Sequence, residues 1–151
     1  MFPQSQDIPV IPRHFRSKFL KHTRVVIDCT EIYCQGSKNF KKQGNSYSSY
    51  KGRTTAKVLI GCDPSGNAVF ISDAFEGSVS DKDICQQSGF YDWIQKGDQV
   101  LADRGFLIEE ELRAKGAFLN IPPFLRGRKK LNLEENLRTK CVSKARIHIE
   151  R

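Results

Sequence analysis

The sequence predicts an α/β domain built on a mixed sheet, and two runs of pattern predict it. Between residues 24 and 75 three β-branched, alternating segments follow one another, which makes an antiparallel meander. From Ser80 onward strand-like and helix-like segments alternate, which sets helices on the faces of that sheet. A length of 151 residues fits one domain large enough to enclose a core.

Taken in order, residues 1–23 read as an N-terminal connector. Pro3, Pro9 and Pro12 oppose helix there, and a basic stretch follows from Arg13 to Arg24. Arg24–Cys34, RVVIDCTEIYC, is β-branched and alternating and reads as the first strand. Residues 35–52, rich in Gly, Ser, Lys, Asn and Tyr, read as a loop or hairpin excursion. Thr55–Cys62, TAKVLIGC, is the second strand, and Asp63-Pro64-Ser65-Gly66-Asn67 is a turn with Pro at its second position. Ala68–Phe75, AVFISDAF, is the third strand.

Ser80 is a good helix N-cap, with Asp83 three residues on as a variant of the capping box. That helix is expected to reach about Ile94 and to turn Ile84, Phe90, Tyr91 and Ile94 to the core. Gly97-Asp98 turns the chain into a fourth strand, Gln99–Asp103. Leu107–Lys115 is a short helix stopped by Gly116, and Ala117–Ile121 is a fifth strand ended by Pro122-Pro123. Leu133–Arg151 reads as a last helix. Its Leu133, Leu137, Cys141, Ala145 and Ile149 recur every four residues as an apolar stripe, with Arg138, Lys140, Lys144 and Arg146 off it.

Composition excludes several classes. Hydrophobic residues at 38% and charged residues at 28% fit a globular protein. No apolar run approaches the roughly 18 residues of a membrane span. The first residues lack the basic region and apolar segment of a secretory signal. A formal net charge of +8 favours polyanionic partners, because each phosphate contact releases condensed counterions. Five cysteines, an odd number at wide spacings without a CxxC, point to free thiols, most of them buried, and away from a disulfide framework or zinc knuckle. His14, His22 and His148 are too scattered for a histidine-based metal centre.

Three acids stand out by position. Asp28 lies in the middle of the first strand, Asp103 ends the fourth, and Glu150 sits in the last helix beside Ile149. An acid within an apolar strand is costly to bury without a partner, and metal coordination is one way to offset that cost. Mg2+ or Mn2+ takes carboxylate oxygens and keeps several waters. Two such ions roughly 4 Å apart activate a water and stabilise the leaving oxygen of a phosphodiester. The residues alone leave structural roles open: Asp103 as a turn former, Asp28 as a hydrogen-bond acceptor, Glu150 as a partner of Arg146 four residues back.

The segments VVIDCTE, SSYKGRTTAKVLIGCDPSG, ISDAFEGSVSDKDI, LADRGF, IPPFLRG and ARIHIER follow one another in this order. Together they resemble the DDE superfamily endonuclease domain of PIF/Harbinger-type transposases, over roughly residues 24–151. The resemblance implies an RNase H-like fold and metal-dependent cleavage and joining of DNA strands with Mg2+ or Mn2+. The family's first Asp falls on Asp28, its second on Asp103 and its Glu on Glu150, at separations of 75 and 47 residues. In that scheme the three acids are both the catalytic residues and the metal ligands. Asp81, in VSDKD, matches a further acidic position and is read as a helix-start residue, with metal contact as the alternative. Glu31 shares the first strand with Asp28 but, three residues on, points to the opposite face, where it reads as a solvated acid.

The basic residues suit a DNA partner. Arg126, Arg128, Lys129 and Lys130 precede the last helix, where they could contact phosphates. Lys38, Lys41, Lys42 and Lys51 of the 35–52 excursion, with Arg53 just after it, are interleaved with Tyr47 and Tyr50. The resemblance further implies a nuclear location and a DNA-reading partner, either a separate protein or an upstream domain. The family pattern continues past its Glu, so the domain is expected to be truncated at its last helix. Two other functions stay open: a transposase-derived DNA-binding or assembly module that does not cut, and an RNase H-like nuclease acting on RNA–DNA hybrids.

Overall fold

A computed structural model describes residues 13–16, 20–34, 47–48, 53–122 and 130–150. The central strand is β1, Thr23–Tyr33. On one side it pairs antiparallel with β3, Arg53–Cys62, in unbroken register from Val26↔Cys62 to Tyr33↔Thr55. On the other side it pairs parallel with β6, Gln99–Leu101, with Val26 opposite Leu101. Strand β7, Phe118–Asn120, continues the sheet in parallel beyond β6. The short β2, Tyr47–Ser48, together with β4, Ala68–Ile71, and β5, Phe75–Glu76, all pair with β3. The result is the mixed sheet that the pattern predicts, and it is compatible with an RNase H-like fold.

Both faces of the sheet are covered, which explains why Thr23–Ile27 is buried without a break. On one face Val25, Ile27, Leu59 and Val69 pack with residues of three helices. These are α1, Asp81–Gln87, α2, Phe90–Trp93, and α3, Glu109–Ala114. Ile84, Cys85, Phe90 and Leu112 are their buried contributions. On the other face Val26 and Leu101 pack with Val142 and Ala145 of helix α4, Leu133–Glu150. Phe15 and Leu20 complete this second cluster and are fully buried, although they lie in the segment read as a connector.

Four local expectations change. The third strand is two short ones, because Ser72 interrupts the ladder. Its hydroxyl accepts the Leu59 amide at 2.9 Å and donates to the Asp73 carbonyl at 2.7 Å. The helix after Ser80 begins as expected, with the Asp83 amide donating to the Ser80 hydroxyl at 3.1 Å, but it stops at Gln87. Gly89, at φ +76°, then redirects the chain into α2, and Phe90 and Ile94 still reach the core. Of the expected stripe of α4, Ala145 is buried and Cys141 is partly covered. Leu133 and Leu137 are exposed, and Val142, which lies off the stripe, is fully buried. Of the five free cysteines only Cys85 is buried; Cys29, Cys62 and Cys141 are partly covered and Cys34 is exposed.

One buried ion pair ties the start of β1 to the turn before β6. The Arg24 guanidinium pairs with the Asp98 carboxylate, donates to the Trp93 carbonyl at 3.2 Å and lies 4.0 Å from the centre of the Trp93 ring. Asp98 also accepts the Gln95 amide at 2.8 Å. Hydrogen-bonded on several sides, this pair fixes how β1 and β6 enter the sheet together.

Candidate functional site

The register of β1 and β6 builds the site. Val26 and Leu101 are direct partners in the parallel ladder, and both face the α4 side. Side chains alternate along a strand, so two residues further on each chain the same face carries Asp28 and Asp103. The two acids thus lie on one face where the apolar cover ends, within reach of one guanidinium. Strand β6 stops at Leu101, and Asp103 opens the turn that its carbonyl closes with the Phe106 amide at 3.1 Å.

Helix α4 supplies the third component. Val142 and Ala145 lie over Val26 and Leu101, and the next residue, Arg146, lies over the acids. Its guanidinium is 3.3 Å from Asp103 Oδ1 and 4.0 Å from Asp28 Oδ2. Each carboxylate is also steadied by its own backbone: Cys29 donates to Asp28 Oδ1 at 3.0 Å and Arg104 to Asp103 Oδ1 at 2.7 Å. Arg138, two turns earlier in α4, donates to the buried Asn120 side chain of β7 at 2.9 and 2.7 Å. The helix is thus held to the sheet by polar contacts at two levels.

The acids are not buried. Asp28 and Asp103 are each 53% exposed, while Arg146 is 19% exposed. The burial cost that singles out an acid in an apolar strand is therefore not what Asp28 meets, because the strand leaves its apolar cover just before it. Beside the pair a cavity of about 460 Å³ is lined by Val26, Ile27, Asp28, Thr30, Ile60, Cys62 and Arg146. Burial, and secondarily the charge of Asp63, pushes the Cys62 thiol pKa up, so Cys62 offers a neutral wall and not a thiolate.

Asp81 lies elsewhere. It opens α1 as expected, and its Oδ1 is 3.4 Å from the Lys57 ammonium. It also accepts a hydrogen bond from Cys29, whose thiol pKa is raised first by burial and then by the Asp81 charge. Cys29 is adjacent to Asp28 and so faces the other side of the sheet. An added Cβ at Gly105 would lie 3.5 Å from Asp81 Oδ2, so Asp81 braces the turn after Asp103 from below. Glu31 also takes that opposite face, across the ladder from Lys57, but its Oε2 is buried, so it is not the solvated acid expected.

Glu150 ends α4, four residues and one turn after Arg146; its side chain lies outside the described residues. Arg126, Arg128 and Lys129 also lie outside them, as do Lys38, Lys41, Lys42 and Lys51, whereas Lys130 is exposed just before α4. Arg146 is the site residue that the sequence reading missed. The pattern puts it off the apolar stripe, and its place directly after Ala145 in ARIHIER is the available signal.

Among the described residues no three His, Cys, Asp or Glu side chains gather as a metal site. Two carboxylates do face one cationic group, the Arg146 guanidinium, which reaches both. This is a donor set that suits Mg2+ or Mn2+, which is commonly held by one or two carboxylates while waters and substrate phosphates fill the remaining positions. Half-exposed acids beside an open cavity leave room for both.

Fold and site together define an α/β protein with a mixed sheet compatible with an RNase H-like fold, and with one acid on the central strand beside another just past the end of its parallel neighbour. A family model described as DDE superfamily endonuclease matches residues 27–151, and the chain belongs to that family. No curated protein and no solved structure matches it. Membership points to a nuclease or transposase type of function with DNA as substrate, in a family that generally uses divalent metals. None of the described helices is long and apolar enough to cross a membrane.

Proposed function

We propose that this chain is the catalytic core of a metal-dependent DNA endonuclease of the PIF/Harbinger transposase type, with Asp28 and Asp103 as the paired metal ligands. The observation that carries this reading is that one guanidinium reaches both acids, each two residues past the strand partners Val26 and Leu101. Glu150, on the same helix as Arg146, is the third ligand in this proposal. A bound Mg2+ or Mn2+ would activate water and stabilise the leaving oxygen of the phosphodiester. Asp28 and Asp103 would hold it, with the Cys29 and Arg104 amides keeping each carboxylate aimed. The cavity beside Asp28 would receive the nucleotide next to the cleaved bond, its apolar wall of Val26 and Ile60 excluding water there. Lys130 and the basic residues before it would hold the DNA backbone, and the setting would be nuclear.

The test is a nicking assay on duplex DNA with Mn2+, comparing the chain with Asp28→Asn and Asp103→Asn. Loss of metal-borne charge stabilisation worth several kcal/mol predicts a fall of roughly a hundredfold or more in either variant. Cleavage by both variants at the unaltered rate would remove the acids from the mechanism.

A second reading, a DNA-binding or assembly module that does not cut, is favoured by one observation. Arg146 lies between the acids where a metal would otherwise stand. DNA retention without cleavage, unchanged by Mn2+ and by either Asp→Asn substitution, would support that reading.

A further inference from the structure

We infer that Arg146 is the built-in competitor of the metal: its guanidinium and a divalent cation take turns at the Asp28–Asp103 pair. The inference rests on the acid pair being a metal site and adds how that site is regulated. A divalent ion held by both carboxylates would approach the same pair of groups that Arg146 now faces, Asp103 Oδ1 at 3.3 Å and Asp28 Oδ2 at 4.0 Å. Two cations this close to one carboxylate pair repel each other, and each weakens the other's hold. Binding at one place that excludes a resident group is negative coupling, and it acts equally in both directions.

Arg146 is also built to yield. Helix α4 is anchored by Val142, Ala145 and the Arg138–Asn120 hydrogen bonds, all N-terminal to Arg146. The guanidinium can therefore swing away on its own stem without unseating the helix. Arg24, by contrast, is 4% exposed, stacked on Trp93 and paired with a buried Asp98. Arg146 is thus a positioning residue for the metal-free state. It keeps two like charges together until an ion arrives, and it raises the ion concentration the site needs.

The experiment is titration of Mn2+ into the full chain and into Arg146→Met, followed by calorimetry or by Mn2+ electron resonance, with no DNA present. Removing the competitor should tighten Mn2+ binding by about tenfold, within the range common for coupled sites. The gain should vanish when Asp28→Asn and Asp103→Asn are added. In EDTA the Arg146→Met chain should melt below the parent, and Mn2+ should raise its melting temperature by more than it raises the parent's. Equal or weaker Mn2+ binding by Arg146→Met would overturn the inference. If the parent still bound Mn2+ through the two acids, the metal-site reading would stand without it. Mn2+ binding by neither chain would overturn both. Should Arg146→Met fail to fold, Arg146→Lys takes its place. A single ammonium cannot reach both acids as a planar fork does, so tighter binding is again expected, by a smaller factor.

Discussion

Two arginines hold three aspartates at different depths, and depth decides what each contact does. Arg24 and Asp98 are 4% and 5% exposed, so removing one partner strands a charge in the core. Asp98→Ala should lower folding stability by about 3–5 kcal/mol, measured by chemical denaturation. Asp103 is 53% exposed, so water takes over when its partner is lost. Asp103→Asn should change stability by less than about 1 kcal/mol in the same experiment. A large loss for Asp103→Asn would show that the acid serves the fold, and any loss of cleavage would then have a structural cause. Residue type was legible at these positions, and depth was not. Asp28 and Asp103 stand out in the sequence as acids at strand positions, whereas Arg24 looks like one more member of a basic N-terminal stretch and is in fact core.

At the level of elements, the site depends on how closely β3 presses on β1. An added Cβ at Gly61 would meet Val25 Cγ2 at 2.8 Å and Phe70 Cβ at 3.2 Å. Gly61 pairs with Ile27, the residue before Asp28. Gly61→Ala should therefore cost about 1–3 kcal/mol by overpacking and should weaken Mn2+ binding by displacing β1. Unchanged stability and metal affinity would show that β1 can shift without disturbing the acids. The strands and helices themselves were largely legible because they follow local periodicity and capping. Ser80 begins its helix as its sequence signals, and β1 and β3 occupy nearly the expected spans. The errors fall where one residue overrides the pattern. Ser72 takes a ladder partner for its hydroxyl and splits a strand, and Gly89 ends what reads as one helix. The exposed Leu133 and Leu137 fail for another reason: periodicity identifies a stripe, but only the sheet's extent decides how much of it is covered.

The whole molecule has a predictable alkaline limit. Burial, followed by the charges of Asp81 and Glu111, pushes the Cys85 thiol pKa up to about 12 from an ordinary 9.0, and the Cys29 thiol is raised as well. Below pH 9 both folded and unfolded chains keep these protons, and the thiols leave stability unchanged. Above it the unfolded chain releases them while the folded chain does not. The unfolded state then binds fewer protons, and stability falls as pH rises from about 9 to about 12. The slope is about 1.4 kcal/mol per pH unit for each thiol. Denaturation midpoints measured between pH 8 and 10.5 should decline, and less steeply in Cys85→Ala. A flat profile would mean that these thiols ionise in the folded protein. Alkylation at pH 8 should mark the exposed Cys34 long before Cys85.

The sequence by itself determined the fold class, the order of strands and helices, the family and the two strand-borne acids. Each of these is written in local periodicity, in turn and cap residues, or in short motifs that keep their order along the chain. The tertiary structure decided that Asp28 and Asp103 come under one guanidinium, that of Arg146, that Asp81 belongs to the opposite face, and that Phe15 and Leu20 are core. These facts depend on the register between strands far apart in the chain and on where one helix crosses them. A shift of one residue in the β1–β6 register would send an acid to the other face. That register is set by packing and by the buried Arg24–Asp98 pair, contacts between distant residues that no local pattern encodes.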